Sequence, residues 1–314
     1  MNVAPGKASR RAVVFAYHNV GVHCLRVLLA RGVEVALVVT HADNPAETIW
    51  FDSVAAVAAE HGIAVLTPAS PLEIIERVAA IAPDFIFSFY YRHMLPDALL
   101  QLANAGAYNM HGSLLPAYRG RVPVNWAVLK GERETGATLH EMVTKPDAGA
   151  ILDQTSVPIL PDDTAFEVFQ KVTVAAEQTL WRVLPGLMDG SAPRLDNNVT
   201  LGSYYGGRKP EDGRIDWNRP ASEIYNLIRA VAPPYPGAFF EHRGERLIIA
   251  AARPWRGASP VPDGADLSPG LHVTDNLFFA LCGDGGILHV KTLLRARDHH
   301  ALSPADLFAP LPNP

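Results

Sequence analysis

The chain has 314 residues, of which 48% are hydrophobic, and its 27 Lys plus Arg against 32 Asp plus Glu give a formal net charge of −5. This composition indicates a soluble globular protein, and the length favours two domains, since a domain usually takes about 100–200 residues. The slightly acidic balance argues against nucleic acid as a partner, because proteins that grip phosphate backbones usually carry a basic excess.

The two cysteines, Cys24 and Cys282, lie far apart and show no spacing typical of a metal site or a disulfide framework. No segment reaches the roughly 18 consecutive apolar residues that a membrane span requires. We therefore expect a cytoplasmic protein with reduced thiols, no bound metal and no membrane insertion.

The first half of the sequence alternates short apolar runs with stretches of helical spacing, a pattern typical of a parallel sheet covered by helices on both faces. The predicted strands cover residues 12–16, 33–40, 63–66, 84–88 and 107–110, and the predicted helices cover 21–30, 53–61 and 71–81. We expect a doubly wound, mostly parallel, Rossmann-like α/β sheet. Its first turn contains one glycine, Gly21, where a dinucleotide fingerprint needs three, so NAD and FAD are disfavoured.

The second half predicts a smaller domain. A capping box of Thr164 and Glu167 opens a long helix that is expected to end near Gly186. A helix at about 221–230 and short strands at 238–242, 246–252, 271–274, 277–282 and 286–294 then indicate an OB-like β-barrel. The predicted organisation is a loose N-terminus over 1–11, a catalytic domain over 12–192, a linker over 193–207, a barrel domain over 208–300 and a loose tail over 301–314.

A cluster of chemically versatile residues follows the last predicted strand of the first domain. Asn109 and His111 stand two residues apart there, so they point to one side at the carboxyl edge of the sheet, where α/β proteins bind ligands. Asn offers an amide donor, His moves protons near neutral pH, and a carboxylate such as Asp147 can orient an imidazole. Taken singly, Asn109 would more often be a strand-end cap, His111 a structural histidine and Asp147 a turn residue than members of a catalytic group.

Longer motifs around these residues resemble a known family. Asn109-x-His111-x-Ser-Leu-Leu-Pro, the following Tyr-Arg119-Gly and the downstream Asp147-Ala-Gly are similar to the signature of enzymes that use 10-formyltetrahydrofolate. Within this formyltransferase family, blocks at 14–18, 40–45, 87–93, 121–126 and 229–239 are similar to the ArnA-type formyltransferase domain. ArnA-type domains formylate UDP-4-amino-4-deoxy-L-arabinose, a step of lipid A modification in bacterial polymyxin resistance.

The resemblance implies roles for individual residues. Asn109 would stabilise an oxyanion, His111 would be the general acid and base, and Asp147 would raise the pKa of His111. The residues implied in binding 10-formyltetrahydrofolate are His93, Met94, Leu95, Arg121, Val143, Thr144, Lys145, Pro146 and Asp147. Lys145-Pro146 departs from the family pattern, and Pro146 biases the residue before it towards extended geometry, so folate affinity could differ.

The expected acceptor is a nucleotide-linked aminosugar. Arg208 and Arg229 suit a pyrophosphate and Tyr235 suits a base, although each could equally be a packing residue. The chain stops at Pro314, without the decarboxylase that ArnA carries, so a separate decarboxylase or a second copy of the chain are the expected protein partners.

Two other activities of the family remain alternatives. A methionyl-tRNA formyltransferase shares the signature, but residues from Arg208 onward carry 12 basic and 12 acidic side chains, which argues against a grip on tRNA. A formyltetrahydrofolate hydrolase would use the same three residues with water as the nucleophile, whereas a non-catalytic folate-binding protein would be expected to lack one of them.

Overall fold

The computed structural model of the protein describes residues 10–45, 47–261, 267–274 and 277–308. These residues form two compact units, each assembled from several segments of the chain. The first unit comprises the described residues within Met1–Pro123, Glu134–Pro158 and Phe169–Gly206, and the second those within Val124–Arg133, Ile159–Val168 and Gly207–Pro314. Of the N-terminus predicted to be loose, residues 1–9 lie outside the described part.

The first unit is built on a seven-stranded sheet with the order β3-β2-β1-β4-β5-β7-β8. The strands in its segments are β1 (Arg11–Ala16), β2 (Glu34–Val39), β3 (Val65–Leu66), β4 (Phe85–Phe89), β5 (Gly106–His111), β6 (Arg119–Gly120), β7 (Glu134–Glu141), β8 (Ile151–Pro158) and β9 (Tyr204–Tyr205). The five strands from β3 to β5 run parallel, and β7 and β8 add an antiparallel edge. The predicted doubly wound, mostly parallel α/β fold is confirmed.

Helices connect these strands. In chain order they are α1 (His18–Ala30), α2 (Val54–Glu60), α3 (Ile75–Ile81), α4 (Asp97–Leu100), α5 (Pro123–Leu129) and α6 (Ala165–Asp189). The central strands β1 and β4 are apolar and buried almost throughout, as expected for parallel strands that are covered on both faces. Phe15 and Ile86 from these strands form a core with residues of α3 and α4, including Val78 and Leu99.

Helix α6 begins at the capping box that the sequence predicts. The Thr164 N–H donates to Glu167 Oε2 at 2.7 Å, and the Glu167 N–H donates to Thr164 Oγ1 at 3.3 Å, so two of the orphan donors at the helix start are satisfied. The helix continues for 25 residues. Neither α6 nor any other described helix is long and apolar enough to cross a bilayer.

The second unit contains a five-stranded antiparallel sheet. Its elements from residue 207 onward are α7 (Ala221–Val231), β10 (Ala238–His242), β11 (Glu245–Pro254), β12 (Gly270–Thr274), β13 (Leu277–Leu281), β14 (Ile287–Arg295) and α8 (Pro304–Phe308). The strand order is β10-β11-β14-β13-β12, and α7 packs on β11. The sheet curls into a half-barrel, the form that the predicted smaller β-domain takes.

The boundaries of the two units differ from the predicted ones. The segment 193–207, predicted to be a linker, belongs largely to the first unit, because β9 pairs with β6 and the Arg121 N–H donates to Tyr205 O at 2.9 Å. The tail predicted to be loose contains α8, while residues 309–314 lie outside the described part. The segments 124–133 and 159–168 group with the second unit although their neighbours in the chain belong to the first.

Candidate active site

The candidate site lies at the carboxyl end of β5 and is formed by residues of the first unit. Asn109 pairs with Ser88 on β4 and with His140 on β7, and His111 is the last residue of β5. Because side chains alternate along a strand, Asn109 and His111 lie on the same face of the sheet. The strand therefore places an amide and an imidazole side by side, as the sequence predicts.

His111 is held by a backbone carbonyl and a carboxylate. Its Nε2 lies 2.8 Å from Tyr118 O, and its Nδ1 lies 3.6 Å from Asp147 Oδ1. A carbonyl oxygen can only accept a hydrogen bond, so Nε2 carries the proton of the neutral ring. The unprotonated Nδ1 then faces Asp147, and it is the atom of His111 that can take up a proton.

A second histidine, His140, completes the cluster. Its Nδ1 donates to Glu141 O at 2.8 Å, and its Nε2 lies 3.1 Å from Asn109 Nδ2 and 3.5 Å from Asp147 Oδ1. In the neutral ring Nε2 accepts from one N–H of the Asn109 amide, which leaves the second N–H for a ligand. Although two imidazoles and a carboxylate meet here, no His, Cys, Asp or Glu side chains in the described ranges are arranged to hold a metal ion.

The Asp147 carboxylate is fixed from several sides. The Gly120 N–H donates to its Oδ2 at 2.8 Å. Asn197 Nδ2 donates to the carbonyl oxygens of Asp147 and Gly149, at 3.0 and 2.9 Å. Asp147 has φ 51°, a left-handed conformation that is uncommon outside glycine and is over-represented at functional sites. The loop thus directs the carboxylate at the two imidazoles.

The protonation states of His111 and Asp147 follow from burial and charge. Burial lowers the pKa of His111 below its ordinary value of 6.5, and the nearby Asp147 opposes this without cancelling it. The resemblance implied that Asp147 raises the pKa of His111; its effect has that sign, but burial, with 6% of the side chain exposed, outweighs it. Burial by itself would raise the pKa of Asp147, but the charge of His111 when it is protonated, the neighbouring His140 and the Gly120 N–H hold that pKa well below its usual range. The resting site therefore combines a neutral His111 with an ionised Asp147.

A buried hydrogen-bond network supports the turn that follows His111. Thr138 Oγ1 donates to Ser113 O at 2.6 Å and accepts from the Leu115 N–H at 3.1 Å. Gln154 Nε2 donates to Leu115 O and to Thr138 Oγ1, at 2.9 and 2.8 Å, and Ser113 Oγ donates to Ala117 O at 2.6 Å. The network fixes the path of the chain to Tyr118, whose carbonyl orients His111.

Gly112 is required by a close approach of Tyr90. A Cβ atom at Gly112 would lie 1.9 Å from the Tyr90 hydroxyl oxygen, far inside van der Waals contact. Tyr90 itself follows β4 in a left-handed conformation, with φ 59°. The end of β4 therefore packs against the residue that follows the proposed catalytic histidine.

Most of the residues implied in folate binding lie at the surface of the first unit. His93, Met94, Arg121, Thr144 and Lys145 are exposed; so is Val143, while Pro146 is half-buried. Leu95 differs, because its side chain is 7% exposed and belongs to the core.

The residues implied in sugar-nucleotide binding belong to the second unit. Arg229 is buried and donates to Asp163 O and to Asn226 Oδ1, at 2.8 and 2.6 Å, which favours the packing role that the sequence left open. The Arg208 guanidinium carbon lies 4.9 Å from the Trp126 ring centroid, and burial raises the pKa of Tyr235. The structure brings Asn109, His111 and Asp147 together in the first unit. Arg208, Arg229 and Tyr235 belong to the second unit.

The site also includes residues that the sequence does not predict, namely His140, Gly120 and the Thr138–Gln154 pair. The sequence contains Thr138-Leu139-His140 between the signature and Asp147, but the place of His140 opposite Asn109 depends on the antiparallel register of β7 against β5. Gly120 acts through its backbone N–H, which carries no side-chain signal.

Comparison with known families identifies the family of the chain. Residues 13–184 match the formyl transferase family, and residues 208–310 match the C-terminal domain of formyl transferases. The chain belongs to the formyltransferase family. The two matches together span both units of this formyltransferase.

Solved structures share the fold of this formyltransferase at low sequence identity. WlaRD, a sugar 3N-formyltransferase solved with dTDP and 5-N-formyl-THF, has a TM-score of 0.68 and 19% identity, over 94% of this chain and 97% of WlaRD. An N-formyltransferase from Helicobacter canadensis, in complex with folinic acid and dTDP-3-aminofucose, has a TM-score of 0.67 and 20% identity, over 90% and 98% of the chains. HypX from Aquifex aeolicus, in complex with tetrahydrofolic acid, has a TM-score of 0.64 and 18% identity, over 96% of this chain and 47% of HypX.

The contact between Gly112 and Tyr90 makes a first prediction. Gly112→Ala should lower formyl transfer at least about tenfold, because the new methyl displaces the turn that carries the His111 contacts and small misplacements of catalytic groups are costly. Adding Tyr90→Phe removes the clashing oxygen and should restore part of the rate. Gly206→Ala is the matched control, since a Cβ there meets no atom within 4 Å. Steady-state rates of the four proteins check the prediction, and full activity of Gly112→Ala would contradict it.

The electrostatic interaction between His111 and Asp147 leads to a second prediction. If neutral His111 accepts a proton during turnover, formyl transfer falls at acidic pH as His111 becomes protonated. Because the Asp147 charge raises the pKa of His111, Asp147→Asn should shift the acidic limb of the kcat profile to lower pH as well as slow the reaction. Asp153→Asn, which removes a carboxylate paired with Arg182 outside the cluster, should leave the limb in place. If the acidic limb of the kcat profile is unchanged or moves to higher pH in Asp147→Asn, the assignment of His111 as the proton acceptor is contradicted.

Proposed function

We propose that this formyltransferase transfers the formyl group of 10-formyltetrahydrofolate to the amine of a nucleotide-linked aminosugar. The observation that carries the proposal is the meeting of Asn109, His111 and Asp147, with His111 Nδ1 directed at Asp147 Oδ1 at 3.6 Å. This arrangement offers a hydrogen-bond donor, a proton acceptor and a fixed negative charge at the carboxyl edge of the sheet. Acyl transfer to an amine can use these groups for oxyanion stabilisation, for proton removal and for support of the protonated base.

Each residue has a defined part in the reaction. 10-Formyltetrahydrofolate supplies the formyl carbon that the amine attacks. The free N–H of Asn109 stabilises the carbonyl oxygen as it becomes negative, a contribution typically worth about 2.7–4 kcal/mol for such a donor. His111 Nδ1 takes the proton that the amine loses, and it returns the proton to the leaving nitrogen of the folate. Asp147 stabilises the imidazolium in between, and such proton transfer typically contributes about 10²–10⁴-fold.

The residues implied in folate binding fit a flat ligand with an acidic tail. Met94 and Val143 are exposed apolar side chains, 62% and 43% accessible, that suit a ring system. Arg121 and Lys145 are exposed cations that suit carboxylates. Thr144 Oγ1 donates to the Asp97 carboxylate at 2.9 Å, which ties the loop 143–147 to the segment that follows residues 93–95. These two segments would hold the folate between them.

The proposed acceptor is UDP-4-amino-4-deoxy-L-arabinose. Its support is the similarity of the blocks at 14–18, 87–93 and 229–239 to ArnA-type domains. The two structural neighbours solved with dTDP or a dTDP-aminosugar support the coarser class, a nucleotide-linked aminosugar. In the second unit, Arg208 remains a candidate for the pyrophosphate and Tyr235 for the base. Arg229 supports the unit through its own hydrogen bonds and is a weaker candidate.

The proposed function is tested by offering the protein a panel of possible acceptors. The protein is incubated with 10-formyltetrahydrofolate and each of several UDP- and dTDP-aminosugars, and the products are identified by mass. We expect one formyl group to be added to UDP-4-amino-4-deoxy-L-arabinose faster than to the dTDP-sugars. Formylation of methionyl-tRNA in its place, or release of formate without any amine, would replace the proposal by one of the two alternatives.

A further inference from the structure

The second unit contains a cleft that none of the proposed catalytic residues lines. Its volume is about 250 Å³. The side chains that matter for its chemistry are Asp162, Arg253, Trp255, Arg256, His289 and Lys291. All of them belong to the second unit, whereas Asn109, His111 and Asp147 belong to the first.

Strand register explains why basic side chains gather at this cleft. Arg253 near the end of β11 pairs with His289 on β14, and Lys291 follows two residues further along β14. The alternating neighbours Ala252 and Val290 are buried, so Arg253 and His289 share the opposite, outward face of the sheet. Lys291 is exposed and stands where the register of β14 against β11 shifts by one residue. The sheet itself therefore fixes the spacing of these groups.

The cleft has an excess of positive charge. Among the described residues that line it, Asp162 is the one carboxylate, and it is already engaged by Arg253 at 3.1 Å and by the Tyr225 hydroxyl at 2.6 Å. Within the described ranges, neither Arg256 nor Lys291 has an ion-pair partner. Burial and the Lys291 charge lower the pKa of His289 below 6.5, so His289 adds a neutral polar ring at pH 7. Two cations are thus free to bind an anion in a chain whose net charge is −5.

An aromatic ring stands beside these cations in a fixed orientation. The Trp255 indole N–H donates to Ala258 O at 2.7 Å, and its backbone N–H donates to Ile287 O at 2.8 Å. The ring is half-buried and lies 5.3 Å from the His289 ring, centroid to centroid. A ring that is held in this way can pack against a planar ligand without further loss of side-chain freedom.

We propose that this cleft is a second ligand site that binds a nucleoside monophosphate, with the phosphate on Arg256 and Lys291 and the base against Trp255. Guanidinium and ammonium groups together are typical phosphate ligands. The volume of about 250 Å³ lies just below the range of about 300–1,000 Å³ for small-molecule sites, so the cleft suits a ligand no larger than a single nucleotide. The proposal is independent of the acceptor proposed for formyl transfer.

The test is calorimetric titration of the full chain with UMP and AMP. Arg256→Gln combined with Lys291→Gln should weaken the binding of at least one of them by about tenfold or more, since two charge-assisted contacts are lost. The matched control, Arg77→Gln with Arg243→Gln, removes the same charge from exposed positions elsewhere and should bind as the wild type does. Trp255→Leu should weaken nucleotide binding while leaving the affinity for inorganic phosphate unchanged.

Formyl transfer and thermal unfolding distinguish a separate nucleotide site from an effect on catalysis or folding. Formyl transfer and thermal unfolding of the Arg256→Gln, Lys291→Gln protein should match the wild type, because neither side chain belongs to the catalytic cluster. Nucleotide binding that is equal in the wild type and this variant, or inorganic phosphate that binds as tightly as UMP and AMP, would overturn the assignment. If His111 variants lose formyl transfer but still bind the nucleotide, the result supports a nucleotide site in the cleft that is separate from the catalytic cluster.

Discussion

The contact between the Asp147 carboxylate and the His111 imidazole is the interaction on which the rest of the site depends. A buried carboxylate is costly unless charges and donors compensate it. Here the Gly120 N–H donates to the carboxylate, and the left-handed backbone of Asp147 directs it at the two imidazoles, whose charge compensates it once a ring is protonated. The two-residue pairing of β6 with β9 in turn fixes Gly120, so a segment far along the chain helps to hold the charge in place. Burial keeps His111 neutral at rest, and Asp147 stabilises it once it is protonated.

Local patterns in the sequence were sufficient for most of the fold. Continuous apolar runs predict the buried parallel strands, and the Thr164–Glu167 box marks the start of α6 correctly. The two-residue spacing of Asn109 and His111 at a strand end also predicts that their side chains share a face. These features depend on neighbours within a few positions, which is the range over which sequence periodicity carries information.

Features that depend on distant contacts could not be predicted in this way. The position of His140 follows from the register of β7 against β5, and the place of 193–207 in the first unit follows from a short ladder between residues about 85 positions apart. The net pKa of His111 depends on how fully the surrounding chain buries it, which composition does not reveal. Arg229 illustrates the same limit, since only the structure shows that its guanidinium bonds Asp163 and Asn226.

The central claim is that His111 performs proton transfer in formyl transfer and is dispensable for folding and folate binding. The most direct measurement compares turnover with the affinity for folinic acid in His111→Ala. The account predicts that turnover falls at least about 100-fold, while folinic acid affinity and thermal unfolding stay close to those of the wild type. Turnover near the wild-type value in a folded His111→Ala protein would contradict the account.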